Sequence, residues 1–288
     1  MRPLAAPTDD ASEVFLTCIS NIASPRLKQQ LAQIAPRIAF AGNAYESAGR
    51  SASLHNIPQN GLDGTGITRL QMRAVYNQRM ARKKSPGRIV YDRLMAVPAH
   101  GRCPLCGQGI VSTLDHHLPQ SQYPDLAVLP LNLVPACSDC NKTKHDWVPA
   151  TAEHQTLHPY FDDLGTECWL GAMVVEESPP AVRFFIDPPH GASVLMQTRV
   201  KRHFLVFKLA NLYASHAASE LSSIQHLVSS LHLCAGMDGV RSHLDEQRVS
   251  RENSSVNSWQ AATYRALTSS DWYCEVGFRQ ESLRHAQS

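Results

Sequence analysis

The sequence predicts a mainly helical α+β protein in which a small cysteine-rich unit is embedded between helical flanks. Three observations carry this. Apolar residues recur at three- and four-residue steps through 11–48, from Leu70 to about Arg82, and through 193–236, the period of a helix with one buried face. Residues 101–149 lose that period and are rich in Cys, Pro, Asp and His. Inside them stand two C-x-x-C pairs, Cys103 with Cys106 and Cys137 with Cys140. The chain therefore divides into a helical region 1–98, a cysteine-rich unit 99–150 and a mainly helical region 151–288.

In the first region Pro25 and Pro36 interrupt the helical run. Residues 52–66 are rich in Gly, Asn and Pro and read as a loop. After the helix that begins at Leu70, Ser85-Pro86-Gly87 makes a turn and IVYDRLMAV forms a second short helix. In the third region VVEE and VRFFID, separated by Ser178-Pro179-Pro180, read as a hairpin. The helical period then returns, and a last helix covers about 258–267, with Trp259, Trp272, Tyr273 and Phe278 as core anchors. His158 and Asp162, in LHPYFDD, read as a packed turn seated on the cysteine-rich unit, with a place in the active site or on a phosphate as the alternative.

The net charge of +2 excludes a polycation, so a nucleic-acid partner has to be argued from local charge. No window approaches the roughly 20 unbroken apolar residues of a membrane span. The N-terminus MRPLAAPTDD lacks the apolar stretch of a secretory signal. A cytoplasmic protein with no membrane partner is expected. Four of the eight cysteines form the two pairs, and Cys18, Cys168, Cys234 and Cys274 are scattered. This is the usage of a reducing compartment with one metal site.

Two short knuckles, each offering two thiolates, suit a tetrahedral Zn²⁺. Cys103, Cys106, Cys137 and Cys140 are the expected ligands. Four thiolates leave no open coordination position, so this zinc is structural and the chemistry lies elsewhere. Between and just after the knuckles stand Asp115-His116 with Pro119, Asn132-Leu133, Asn141, Lys144 and His145. Asn141 and His145, four apart on a short helix ended by Pro149, share a face.

This ordered set resembles the HNH endonuclease family, whose pattern runs C-x-x-C, Asp-His with a proline three residues on, Asn-Leu, then C-x-x-C-Asn with a lysine nearby. The resemblance implies a zinc-stapled ββα-metal unit that hydrolyses phosphodiester bonds. It implies His116 as general base, Asp115 and Asn141 as ligands of a catalytic Mg²⁺ or Mn²⁺, and Asn132 as the residue that holds the loop behind His116. His145 is expected in the cation shell or on the scissile phosphate. One departure is His117, where the family usually has an aliphatic or aromatic residue. Strand alternation turns it to the opposite face from His116.

Arg79, Arg82, Lys83, Lys84 and Arg88 form a basic stripe upstream of the unit. With Lys142 and Lys144 they are expected to contact nucleic-acid phosphates, DNA in preference to RNA. A zinc-stabilised binding module without catalysis is the alternative. The whole chain also resembles bacterial HNH proteins paired with an ATPase in Septu-type anti-phage systems, through DHHLPQSQYPDLAVLPLNLVP and the flanks LHPYFDD and SDWYCEVGF. That likeness implies an ATPase subunit as partner.

Overall fold

The structure is a computed structural model that describes residues 2–279. It is mainly helical α+β, with two antiparallel two-stranded sheets. The chain forms two compact units, Met1–Asp163 with Thr198–Phe207, and Leu164–Gln197 with Lys208–Ser288.

The first unit begins with α1 (Ala11–Ile19), capped by the Asp10 carboxylate, which accepts from the Ser12 and Glu13 amides. The prolines that interrupt the sequence periodicity fall in the first turns of α2 (Pro25–Gln33) and α3 (Ala35–Arg50), where a missing N–H costs nothing. A Thr68–Gln71 capping box opens α4 (Arg69–Ala74), which runs directly into a π-helical stretch, Val75–Met80. Gly87 precedes α5 (Arg88–Ala96). Phe15, Ile38, Tyr45, Met72, Met80 and Leu94 from these helices share one buried cluster with Leu114, Leu118, Leu126 and Leu133. The cysteine-rich segment is too small to bury a core of its own, and it completes that of the N-terminal helices.

In that segment β1 (Thr113–His116) pairs with β2 (Leu133–Ala136), placing Asp115 opposite Val134 and His116 opposite Leu133. The helix α6 (Ser138–Lys144) follows and packs on β1, so the order is strand, strand, helix. Contrary to the expectation of a helix reaching toward Pro149, α6 stops at Lys144. His145 takes φ +49 and so leaves helical geometry, although its amide still donates to the Asn141 carbonyl at 3.0 Å. The shared-face geometry expected for Asn141 and His145 therefore ends one residue short. The last segment of the unit, Thr198–Phe207, comes mostly from α7 (Val194–Val206).

In the second unit β3 (Leu170–Val175) and β4 (Ala181–Ile186) form the hairpin expected around Ser178-Pro179-Pro180, starting earlier than the VVEE motif. Its Leu170, Val182 and Phe184 side chains are buried. Helix α8 (Leu209–Ser254) runs well past the expected end and is broken at Gly236, whose φ is +65. Only glycine adopts such a backbone readily. Its two halves face each other where Glu220 meets Arg251. α9 (Trp259–Thr268) is capped by Ser258. Trp259, Tyr273 and Phe278 are buried, and Trp272 is half-buried. Among the described residues no helix is long and apolar enough to cross a membrane.

Candidate active site and zinc centre

The first knuckle turns tightly. Gly107, at φ +73, sends its amide to the Cys103 carbonyl at 2.7 Å, and the Gly109 amide points at the Cys106 sulfur at 3.3 Å. A side chain on Gly109 would strike Cys137 at 2.6 Å, so glycine lets the knuckles meet. The second knuckle opens α6, with Cys137 as N-cap accepting from the Cys140 amide. The four sulfurs lie within 4.8 Å of one another, and all four cysteines are buried. A tetrahedral Zn²⁺ with bonds of about 2.3 Å places sulfurs about 3.8 Å apart, and Cys106 and Cys137 stand at 3.9 Å. The residues fit the zinc.

His116 closes β1 with its side chain buried between β1 and the π-helical stretch. Its Nε2 bonds to the Ala127 carbonyl at 2.8 Å, and the Tyr76 ring stands edge-on at 4.5 Å. A carbonyl only accepts, so Nε2 carries the proton and Nδ1 keeps the lone pair. Burial pushes the pKa down to about 4, against the pull of the Ala127 carbonyl and with a push from the Lys144 charge. The ring is neutral at neutral pH.

The connection from β1 to β2 is held by Asn132, which is fully buried. Its Oδ1 accepts from the Leu118 amide at 2.8 Å, and its Nδ2 donates to the carbonyls of Leu118 at 2.9 Å and Leu126 at 3.2 Å. The Leu126 carbonyl precedes Ala127, so one amide side chain fixes both the strand end and the turn that anchors His116. Asn132 thereby bridges the two sides of the loop.

Asp115 is buried, and its Oδ2 lies 3.2 Å from Lys144 Nζ. Burial raises its pKa to about 6, opposed by the Lys144 charge. Lys144 also donates to the carbonyls of His116 at 2.7 Å and His117 at 3.3 Å. The sequence expectation placed Lys144 on phosphate. The structure instead turns it inward, because α6 packs its face onto the carboxylate and the two carbonyls of the strand end. Asn141, on the same helix, is half-buried, while Lys142 and His145 are exposed.

His117 turns away from His116, and its ring meets that of His158 at 4.2 Å. Burial holds it neutral, aided by His158 and the charges of Lys144 and Arg199. His158 accepts from the Tyr160 amide at Nδ1 and bonds to the Tyr45 hydroxyl at 3.1 Å. Asp162 forms a buried bidentate pair with Arg199, at 2.7 and 2.6 Å. From the same segment His203 bonds to the Leu105 carbonyl inside the first knuckle, at 2.8 Å.

Of the basic stripe, Arg82, Lys83 and Lys84 are exposed in the turn after the π-helical stretch. Arg79 is bonded to Asn21, and Arg88 pairs with Asp92 and lies over the Tyr91 ring. Among the described residues the four-cysteine cluster is the one group of three or more Cys, His, Asp or Glu ligand atoms close enough to share a metal. Asp115 and His145 are not joined by a third such ligand.

Sequence reasoning missed Tyr76, Ala127, Arg199 and His203. The first two act through a ring edge and a main-chain carbonyl, which carry no motif. The last two lie far from the knuckles along the chain.

The Protein ea31 of Escherichia phage lambda is 28% identical over 234 residues, which cover 78% of this chain and 79% of that one. No solved structure matches the chain. Residues 103–146 match the family model described as HNH endonuclease. The segment that carries both knuckles, the Asp115-His116 strand end and α6 is thus similar to an HNH endonuclease domain.

Proposed function

We propose that this chain is a metal-dependent endonuclease that cuts phosphodiester bonds, in DNA before RNA, with His116 as the base. The observation that supports it best is the state of the His116 ring. It is neutral, clamped through Nε2–H, and has no hydrogen-bond partner on Nδ1 among the described residues. Nδ1 takes a proton from a water, the water oxygen bonds to phosphorus, the bond from phosphorus to the 3′ oxygen breaks, and that oxygen takes up a proton from solvent. The products carry 5′-phosphate and 3′-hydroxyl ends.

Asp115 and Asn141 supply hard oxygen donors of the kind Mg²⁺ and Mn²⁺ prefer. When bound, such a cation stabilises the charge that develops on the phosphoryl and leaving oxygens. Lys144 tethers Asp115 on the strand side, so the carboxylate has one oxygen fixed. His145, exposed beside α6, is available to the shell or to the phosphate. Exposed Arg82, Lys83, Lys84 and Lys142 are the phosphate contacts that this reading keeps, since Arg79 and Arg88 are already engaged. In its fullest form the reading makes the chain a cytoplasmic effector subunit beside an ATPase partner in anti-phage defence, which co-expression and co-purification would test.

The deciding experiment incubates purified protein with labelled duplex DNA, single-stranded DNA and RNA, in EDTA, Mg²⁺ or Mn²⁺. Cleavage is expected only with a divalent cation. His116→Ala should slow it by at least ~10², the lower end of positioned acid–base catalysis, with zinc content unchanged. Binding of all substrates without cleavage under any cation would support the zinc-held binding module instead.

A further inference from the structure

The second unit carries an unpaired sheet edge. In an antiparallel ladder alternate residues turn their main-chain groups toward the partner strand. The Asp187 amide bonds to the Trp169 carbonyl at 2.9 Å. By alternation Gly171, Met173 and Val175 face β4, and Leu170, Ala172 and Val174 face outward. The Leu170 carbonyl agrees, since it accepts from Arg265 at 2.9 Å. Asn257 Oδ1 caps the start of the strand, accepting from the amides of Trp169 at 2.7 Å and Leu170 at 3.1 Å. Two side chains thus take the place of a third strand at the first outward position. At Ala172 and Val174 nothing among the described residues does so.

Those two positions open into a groove of about 520 Å³ between the β3 edge and the C-terminal end of α9. Its lining includes residues of both sheet faces, Ala172 and Val174 on one and Met173 and Phe185 on the other. The space therefore follows the edge itself. Ser269 and Ser270 close the far wall. Met173 and Phe185 are exposed, at 42% and 39%. The charges in the lining are Glu176, Asp187 and Arg265, and Arg265 is already paired with Glu252. Among these lining groups the uncompensated charge is negative, while the Arg183 guanidinium lies on the Met173 sulfur at 2.8 Å.

We propose that the β3 edge binds an extended segment of a partner protein, as an added strand with apolar residues toward Met173 and Phe185 and a lysine or arginine toward Glu176 and Asp187. Main-chain bonds to Ala172 and Val174 give the affinity and the alternate side chains give the choice of segment. An edge left open and flat is otherwise a liability, which proteins blunt with charge, proline or a cover.

The test pans a phage-displayed library of random heptapeptides on the full chain and measures selected, fluorescein-labelled peptides by polarisation. Alternating apolar sequences bearing lysine or arginine should be enriched. Ala172→Pro deletes one outward N–H and leaves the β3–β4 bonds intact, since proline is tolerated on an edge. It should weaken binding at least tenfold, with the melting temperature held. Glu176→Lys with Asp187→Lys should weaken the basic peptides likewise. If Ala172→Pro fails to fold, hydrogen exchange on the wild type replaces it, and the Ala172 and Val174 amides should be protected on peptide addition. No enrichment, binding indifferent to both variants, or unprotected amides would overturn the proposal. So would concentration-dependent self-association through β3, which would give the edge to a second copy.

Discussion

Lys144, buried at the end of α6, pairs with the Asp115 carboxylate and donates to the carbonyls of His116 and His117. The sequence offers a lysine after the second knuckle, and composition alone suggests phosphate. Yet Asn141 and Lys144 are three apart on a helix and so share a face. If Asn141 looks across to β1, so does Lys144, and that was the signal for its buried pair with Asp115. Removing one partner of such a pair leaves a buried charge uncompensated, which costs about 3–5 kcal/mol. Lys144→Met is expected to lower urea stability by that order and to weaken Mn²⁺ binding through a mobile Asp115. Unchanged stability would show that the pair is solvated in solution. Tyr76 offers a second case. Tyr76→Phe keeps the ring edge against His116 and should retain the cleavage rate, whereas Tyr76→Leu should lower kcat with little change in KM.

At the scale of elements, the readable signals were local ones. Pro25 and Pro36 mark helix starts, the paired cysteines mark the knuckles, and Asn132 holds its loop through contacts within fourteen residues of itself. The π-helical stretch after α4 was not readable, because one extra residue in a turn leaves the apolar spacing nearly intact. It matters, because it carries Tyr76 to His116 and is followed by the exposed Arg82, Lys83 and Lys84. Replacing those three with alanine should flatten the salt dependence of nucleic-acid binding while the saturated rate holds. A parallel salt slope would mark them as a solvated surface only. The knuckles close a loop from which both strands hang, so Cys103→Ser should release zinc and unfold β1, β2 and α6 together. Elemental analysis and far-UV circular dichroism on one sample would show both losses or neither.

Across the first unit as a whole, buried histidines set the response to acid. His158 is held at about 3 by burial and then by the Arg199 charge, and His203 at about 3 by burial. Both are neutral when folded and titrate near ~6.5 when unfolded. Their stabilising contribution is complete above that value and is lost as pH falls from about 6.5 toward 3, since only the unfolded chain takes up the protons. Each buried histidine should add a slope of about 1.4 kcal/mol per pH unit in that window. His158→Gln should therefore reduce the slope between pH 6 and pH 5 by about that amount, read by urea denaturation at each pH. An identical slope in the variant would mean that His158 is protonated in the fold. None of this was visible in the sequence, where His158 stood as a member of a packed turn or as an active-site or phosphate contact.

The pairing of Thr198–Phe207 with the first unit has a consequence for how the protein is made. A ribosome releases the N-terminal helices, both knuckles and the turn at His158 well before it reaches Arg199. Until then Asp162 lacks its guanidinium and the Leu105 carbonyl lacks His203. A nascent chain stopped after residue 163 would bind zinc and still leave these groups unmatched. The knuckle-bearing unit reaches its finished form only after Thr198–Phe207 has emerged, so a prematurely ended product carries a loosened version of that unit.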